Sequence, residues 1–265
     1  MVFISEGVGA KKIRIERFVY GNDEGYRLLG TSDPKSVEPY TDMYRGLFLP
    51  VSQGQMKSIV DPLRVIISGG NHILFSRIRQ SKDDIGRGSL ENHTAIVPKD
   101  CMRDGRVTYE ALDAAMAGAE KPGPSIKGDL SPLEVEPQSL NLDEYVKGLG
   151  KHLNRETMNN IVEIYQKDPK KRIILWVPHS TSQERTRMSY MFSVLFDLKL
   201  RAMPMSVFSD VPYPDAAELF NLIITQKDPG IKPTRSWAML VYDPMRPMDV
   251  GDKENVKAAL DDIFG

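Results

Sequence analysis

The sequence predicts an α/β chain of the α+β kind. Its N-terminal half is expected to be mainly an antiparallel sheet, and its C-terminal half a mixed sheet with packed helices. Three observations predict this. Short β-branched runs separated by glycine-bearing turns fill the first part of the chain. The stretch Glu120 to Gln138 then breaks the pattern with Pro122, Pro124, Pro132 and Pro137 and with Gly123 and Gly128. After it, apolar runs of strand length alternate with segments of helical period. The division this suggests is a strand-rich domain at 1–120, a Pro/Gly-rich connection at 121–140 and an α/β domain at 141–265.

Element by element, Ile13 and Ile15 alternate with Arg14 and Glu16, which predicts a strand from Lys12 to Tyr20. Gly21-Asn22-Asp23-Glu24-Gly25 supplies turn chemistry, and Tyr26 to Gly30 is the returning strand. Asp42 to Val51 fits neither period. Arg64-Val65-Ile66-Ile67, the turn Gly69-Gly70-Asn71 and His72 to Ile78 form the clearest hairpin. Ser81 to Gly88 is a polar connection, and a strand follows from Asn92 to Val97, stopped by Pro98. Thr108 caps an Ala-rich helix, Tyr109 to Ala119.

In the second half, Asn141 and Glu144 stand in capping-box spacing ahead of Tyr145, Leu149 and Leu153. Glu156 to Gln166 places Ile161, Ile164 and Tyr165 on one face of a helix. Arg172 to Val177 is a strand ended by Pro178. Ser180-Thr181-Ser182 then opens a helix to Leu198 with Met188, Met191, Phe192, Leu195 and Phe196 as its apolar stripe. Met205 to Phe208, Leu222 to Thr225 and Trp237 to Tyr242 are strands, and Asp252 to Phe264 is a closing helix. A strand–helix–strand succession implies a parallel pair.

The 265 residues carry 35 Lys and Arg against 36 Asp and Glu. That balance gives no general attraction to nucleic acid or to anionic lipid, so neither is an expected partner. Cys101 is the single cysteine, so no intrachain disulfide forms, which favours a reducing compartment. No apolar run approaches the roughly 20 residues that span a bilayer, and the first ten residues lack the form of a secretory signal. The expected location is the cytoplasm.

Reaction chemistry has no local signature. Neither a G-x-x-x-x-G-K-[ST] loop nor a G-x-S-x-G elbow is present, and His72, His93, His152 and His179 do not pair at helical spacing. No metal site and no cofactor is therefore expected. Cys101 lies beside Asp100, whose charge opposes thiolate formation. Two acid–base candidates are His93, two residues after Glu91, and His179, just past a strand end; a surface or hydrogen-bonded histidine is the plainer reading of each. The nearest approach to an anion site is the strand-to-helix turn 178–187, with His179, Ser180, Thr181, Ser182, Arg185 and Arg187. Exposed N–H groups and arginines there suit an anion, although ordinary N-capping accounts for the same residues.

Three segments resemble one family. Phe18-Val19-Tyr20-Gly21 through Gly25-Tyr26-Arg27-Leu28-Leu29 is similar to the opening motif of the N-terminal domain of GTPase-associated proteins of prokaryotic conflict systems. Leu74 to Arg77 with Gly86-Arg87-Gly88 and Asn92-His93-Thr94 resembles a second block of that domain, and Leu198 to Phe208 with Leu219 to Ile223 resembles the middle domain. The resemblance implies an associating or recognising module and directs attention to Tyr20, Gly21, Gly25, Tyr26, Arg87 and His93. A turn shaped by Gly21 and Gly25, with Tyr20 and Tyr26 paired across it, explains the first four without a ligand.

The functional expectation is thus a non-enzymatic protein-interaction or self-assembly module of the cytosol. Its expected partners are further copies of itself or other proteins. The alternative is a small-molecule or nucleotide-handling enzyme with its site at the 178–187 turn.

Overall fold

Alternation in the two hairpins decides which residues face which side of the sheet. The computed structural model describes residues 11–22, 25–40, 62–82, 88–120, 128–150, 155–168, 170–199, 206–209, 220–226 and 237–241. Strand β1 (Ile13–Asn22) returns as β2 (Tyr26–Thr31), and β3 (Leu63–Gly69) returns as β4 (His72–Lys82), followed by β5 (Gly88–Pro98). β4 pairs antiparallel with β3 and β5, and β1 with β5 and β2. Ile66, Ile73, Phe75, Ala95 and Val97 enter one core, while Val65, Ile67, Leu74, Ile78, Leu90 and Ile96 enter another on the opposite face. Because both faces are covered, Val65-Ile66-Ile67 is a continuous apolar run rather than an alternating one.

Helix α1 (Pro34–Val37) sends Val37 into the second core. Helices α2 (Lys99–Arg103), α3 (Tyr109–Ala119), α4 (Leu142–Gly150) and α5 (Arg155–Lys167) contribute to the first. Thr108 caps α3 by accepting from the Ala111 N–H. Asn141 caps α4 by accepting from the Asp143 N–H.

Strand β8 (Arg172–Trp176) leads through helix α6 (Ser182–Ser193) to β9 (Ser206–Ser209), β10 (Leu222–Thr225) and β11 (Trp237–Val241). β10 runs parallel to β8 and β9, and β11 parallel to β8, as a strand–helix–strand succession requires. β9 then pairs antiparallel with β3, Ile66 opposite Val207. One hydrogen-bonded sheet therefore runs through the residues on both sides of the Pro/Gly-rich connection. Its order among the described residues is β11-β8-β10-β9-β3-β4-β5-β1-β2, continued by a two-residue strand, β6 (Gly128–Asp129).

The connection is more structured than its composition suggests. β6 pairs with β2, and β7 (Leu133–Val135) pairs with β1. Leu133 and Val135 are buried and Glu134 is exposed between them. Three alternating residues between Pro132 and Pro137 are too few to register against the turn chemistry around them.

Helix α6 also departs from expectation, since Val194–Lys199 winds as a π-helix. It carries Asp197 to Lys99 of α2, an ion pair of 2.8 Å with both side chains buried. The segments Asp42 to Val51 and Asp252 to Phe264 lie outside the described residues. No helix among the described residues is long and apolar enough to cross a membrane.

Two glycines make opposite demands. Gly105, after α2, has φ +64°, and a Cβ there would stand 1.6 Å from the Leu140 carbonyl oxygen. Gly118, within α3, would meet nothing within 4 Å. Gly105→Ala is expected to remove about 3 kcal/mol of stability through backbone strain and steric clash. Gly118→Ala should add about 0.5–1 kcal/mol through helix propensity. Urea denaturation midpoints of the two variants, moving in opposite directions, check the pair.

Candidate functional site

The face of the sheet beneath α3 holds a patch of charge within an apolar layer. In register, Arg64 of β3 stands opposite Arg77 of β4, and Arg77 opposite His93 of β5, with Arg79 opposite Glu91 one step along. By alternation these residues share the face of Ile66, Phe75 and Ala95. Helix α3 answers with carboxylates. Asp113 accepts from Arg64 Nε at 3.3 Å through one oxygen and from Arg64 Nη2 at 3.0 Å through the other. It also accepts from Arg77 Nη1. Glu120, at the C-terminal cap of α3, accepts from Arg77 Nε at 2.7 Å. Burial opposes the Arg77 charge, but Glu120 and Asp113 outweigh it and hold its pKa above the ordinary value. Arg17 has no such surplus, and burial lowers its pKa despite the pull of Glu120.

Between α3 and α6 lies a cleft of about 430 Å³. Glu110, Asp113, Ala114 and Ala117 of α3 line one wall; Ser182, Gln183, Thr186, Arg187 and Tyr190 of α6 line the other, with Arg64 between them. This volume is that of a small-molecule site. The two alanines leave the walls apart, and the α6 residues recur at the spacing of one helix face.

Tyr190 is the unusual member. It is 2% exposed, its ring stacks on Tyr109 at 4.8 Å, and its hydroxyl has no hydrogen-bond partner among the described residues. Burial raises its pKa well above the usual phenol value, with Asp113 and Glu110 adding to the rise and Arg64 and Arg77 opposing it. Tyr190 itself lines the cleft, and its hydroxyl is closed off from solvent.

The residues singled out from sequence are dispersed. Ser182 and Arg187 line the cleft. Arg185 does not: it is buried, and its Nη1 donates to the Ser180 carbonyl at 2.5 Å and hydroxyl at 3.0 Å. Ser180 in turn donates to the Val177 carbonyl at 2.7 Å. Thr181 caps α6 in a reciprocal capping box with Glu184. His179 is exposed in the turn before the helix. His93 is buried on β5 with Nε2 3.1 Å from Glu91 Oε2, and its Nδ1 has no partner among the described residues. Gly21 lies opposite Glu91, and Gly25 takes φ 124°. Tyr20 is buried in the second core opposite Leu28, whereas Tyr26 lies opposite Asn22, so the two tyrosines are not cross-strand partners. A register shift between Val19 and Tyr20 sets this pairing. Arg87 lies outside the described residues.

Sequence reasoning missed Arg64, Glu110, Asp113 and Tyr190. The available signal was Tyr190 eight residues beyond Ser182, two turns further along one helix face. No group of three or more His, Cys, Asp or Glu side chains gathers in metal-binding fashion among the described residues.

Comparison with known protein families returns no match, and comparison with curated proteins returns none either. Among solved structures, the crystal structure of PA0076 from Pseudomonas aeruginosa PAO1 is similar at 15% identity with a TM-score of 0.24. The match covers 42% of this chain and 57% of that one. A likeness at this level carries no argument about fold or activity, and the resemblance to GTPase-associated proteins rests on the sequence motifs alone.

Alkaline titration tests the buried phenols. Tyr109, Tyr165 and Tyr190 all have raised pKa values because burial disfavours the phenolate. Above the unperturbed value of 10.0, the unfolded chain releases these protons while the folded chain keeps them, so stability is intact below that pH and falls as pH rises through and beyond it. Absorbance at 295 nm should show these phenols ionising together with the loss of far-ultraviolet circular dichroism. Their ionisation near pH 10 in the folded protein would contradict this burial.

Proposed function

We propose that the chain is a recognition module of the cytosol that binds a small polar molecule in the cleft between α3 and α6. Tyr190 carries this reading. A buried hydroxyl without a partner costs on the order of 1–3 kcal/mol, and a ligand group entering the cleft relieves that cost. The remaining polar groups suit holding rather than reacting. Both oxygens of Asp113 are engaged by guanidinium donors. His93, His179 and Cys101, the groups considered from sequence for acid–base and nucleophilic chemistry, are not among the residues lining the cleft. We therefore favour a binding reading of the cleft that Ser182 and Arg187 enter over the enzyme reading of the 178–187 turn.

A second reading, assembly with further copies, is favoured by the end of the sheet. β11 pairs with β8 and is the last strand of the order among the described residues. A terminal strand offers backbone donors and acceptors to another chain. Light scattering should then give a multiple of 29.8 kDa at micromolar concentration, and a strict monomer removes this second reading.

Thermal shift against sugar phosphates, nucleotides and amino acids at millimolar concentration tests the first. Wild-type protein should be stabilised by one class at least, by about 2.7 kcal/mol at a hundredfold excess over Kd. Tyr190→Phe, which deletes only the unpartnered hydroxyl, should leave the ligand-free protein as stable or about 1 kcal/mol more stable and reduce the ligand-induced shift. If every class leaves wild-type unchanged, the binding reading fails.

A further inference from the structure

We infer that the buried Lys99–Asp197 pair is what holds Val194–Lys199 in its wide winding, and that this segment is a two-register device. With the pair broken it rewinds as ordinary α-helix and gives the place facing Lys99 to Phe196. The device is independent of whether the cleft binds a ligand.

Six residues of π winding need a cause, because fewer than about 1% of residues adopt it. Where it interrupts an α-helix it often marks a position with a task. Local sequence does not supply the cause: Val194-Leu195-Phe196-Asp197-Leu198-Lys199 holds neither proline nor glycine. Val194 to Leu198 are all buried, so the cause lies in packing against distant residues. Asp197 is the single charge in that buried run. Its Oδ1 accepts from Lys99 Nζ at 2.8 Å, and the same ammonium donates to Ser68 Oγ of β3 at 2.6 Å.

Lys99 is the fixed member of the pair. It follows Pro98, the last residue of β5, and its backbone N–H donates to the Asn71 carbonyl at 2.9 Å. The sheet therefore sets where its side chain starts, and the helix has to bring a carboxylate to it. A buried ammonium without its counter-charge is strongly destabilising, which gives the helix a reason to widen.

Winding geometry defines the alternative. An α-helix bonds i to i+4, whereas a π turn bonds i to i+5 and takes up one residue more. Ser193, the last residue of α6, is held by the Tyr109 hydroxyl at 2.7 Å. Counted from there, an α-wound segment brings Phe196 near the direction that Asp197 now takes. It also turns Asp197 away by most of the roughly 100° between helical neighbours. Because Ser193 is tied to α3, the change runs forward from Val194 rather than back into the cleft wall. Lys199, now 2.6 Å from Asp143 in the first turn of α4, turns with it. The device thus links a buried charge at the start of α2 to the contact between the end of α6 and α4.

The present register is incompletely satisfied. Asp197 Oδ2 is buried with no hydrogen-bond partner among the described residues, which sets a penalty against the pair. The rival holder of the π turn is aromatic: Phe196 meets Tyr165 edge-on with centroids 5.7 Å apart and stacks on Phe192 at 6.3 Å. Removing the charges while leaving these rings in place separates the two causes.

Crystal structures and urea unfolding of the full chain in three forms provide the test. Wild type should show the π turn. Lys99→Met/Asp197→Leu replaces both charges by apolar groups and leaves no unpaired one; it should fold, wind 194–199 as α-helix and lose the Lys199–Asp143 contact. Phe196→Asp/Asp197→Phe moves the carboxylate to the position that an α register presents. It should pair with Lys99 through the new carboxylate in an α-wound segment, with an unfolding constant within about tenfold of wild type. An unpaired buried carboxylate would instead raise that constant by about a hundredfold or more. The inference is overturned if wild type is α-wound, if the π turn persists in Lys99→Met/Asp197→Leu, or if the exchanged carboxylate stays unpaired in a folded protein. Should the exchanged variant not fold, the winding seen in Lys99→Met/Asp197→Leu decides alone.

Discussion

The Arg77 guanidinium is the constraint on which this molecule's organisation turns. It rises from the sheet among the charged patch it shares with Arg64 and His93 and is engaged by Asp113 in the middle of α3 and by Glu120 at its end. Taking such a charge out of water is expensive, and the expense is offset only when its hydrogen-bonding directions are filled. Two carboxylates at separate points of one helix therefore fix both its position and its direction over the sheet. Arg64 extends the same arrangement to the neighbouring strand. With α3 held in this way, its alanines face α6 across an open space, and the cleft follows from the ion pairs beneath it.

Most of the architecture was legible because its signals are local. The two hairpins, the β5 strand, the Thr108 cap, the parallel pairing of the C-terminal strands and the buried face of α6 each depend on residues close in sequence. The departures involve partners from far away. Leu133 and Val135 became a strand because β1 offered them an edge. Val194–Lys199 took a wider winding that its composition does not distinguish from an ordinary helix.

The site was less legible for the same reason. Ser182 and Arg187 were found through helix-start chemistry, which is local. Arg185, two residues from Arg187, turned inward to hold the Ser180 carbonyl, and spacing alone does not separate these two roles. Arg64, Asp113 and Tyr190 come from three separate elements, and each looks ordinary in its own: a charge beside a strand start, an acid on an Ala-rich helix, an aromatic in an apolar stripe. Only packing shows that the Tyr190 ring is core while its hydroxyl is not satisfied there.

The seam between β3 and β9 bears on how the chain is made. A ribosome delivers Val65-Ile66-Ile67 long before Ser206-Val207-Phe208, the residues that later cover their backbone. Until then the β-branched run of this strand presents an open side to any neighbouring nascent chain, the kind of surface on which wrong pairings begin. The yield of correctly assembled protein in a cell is thus tied to the interval between two moments of synthesis, and slowing translation between them lengthens the period of risk.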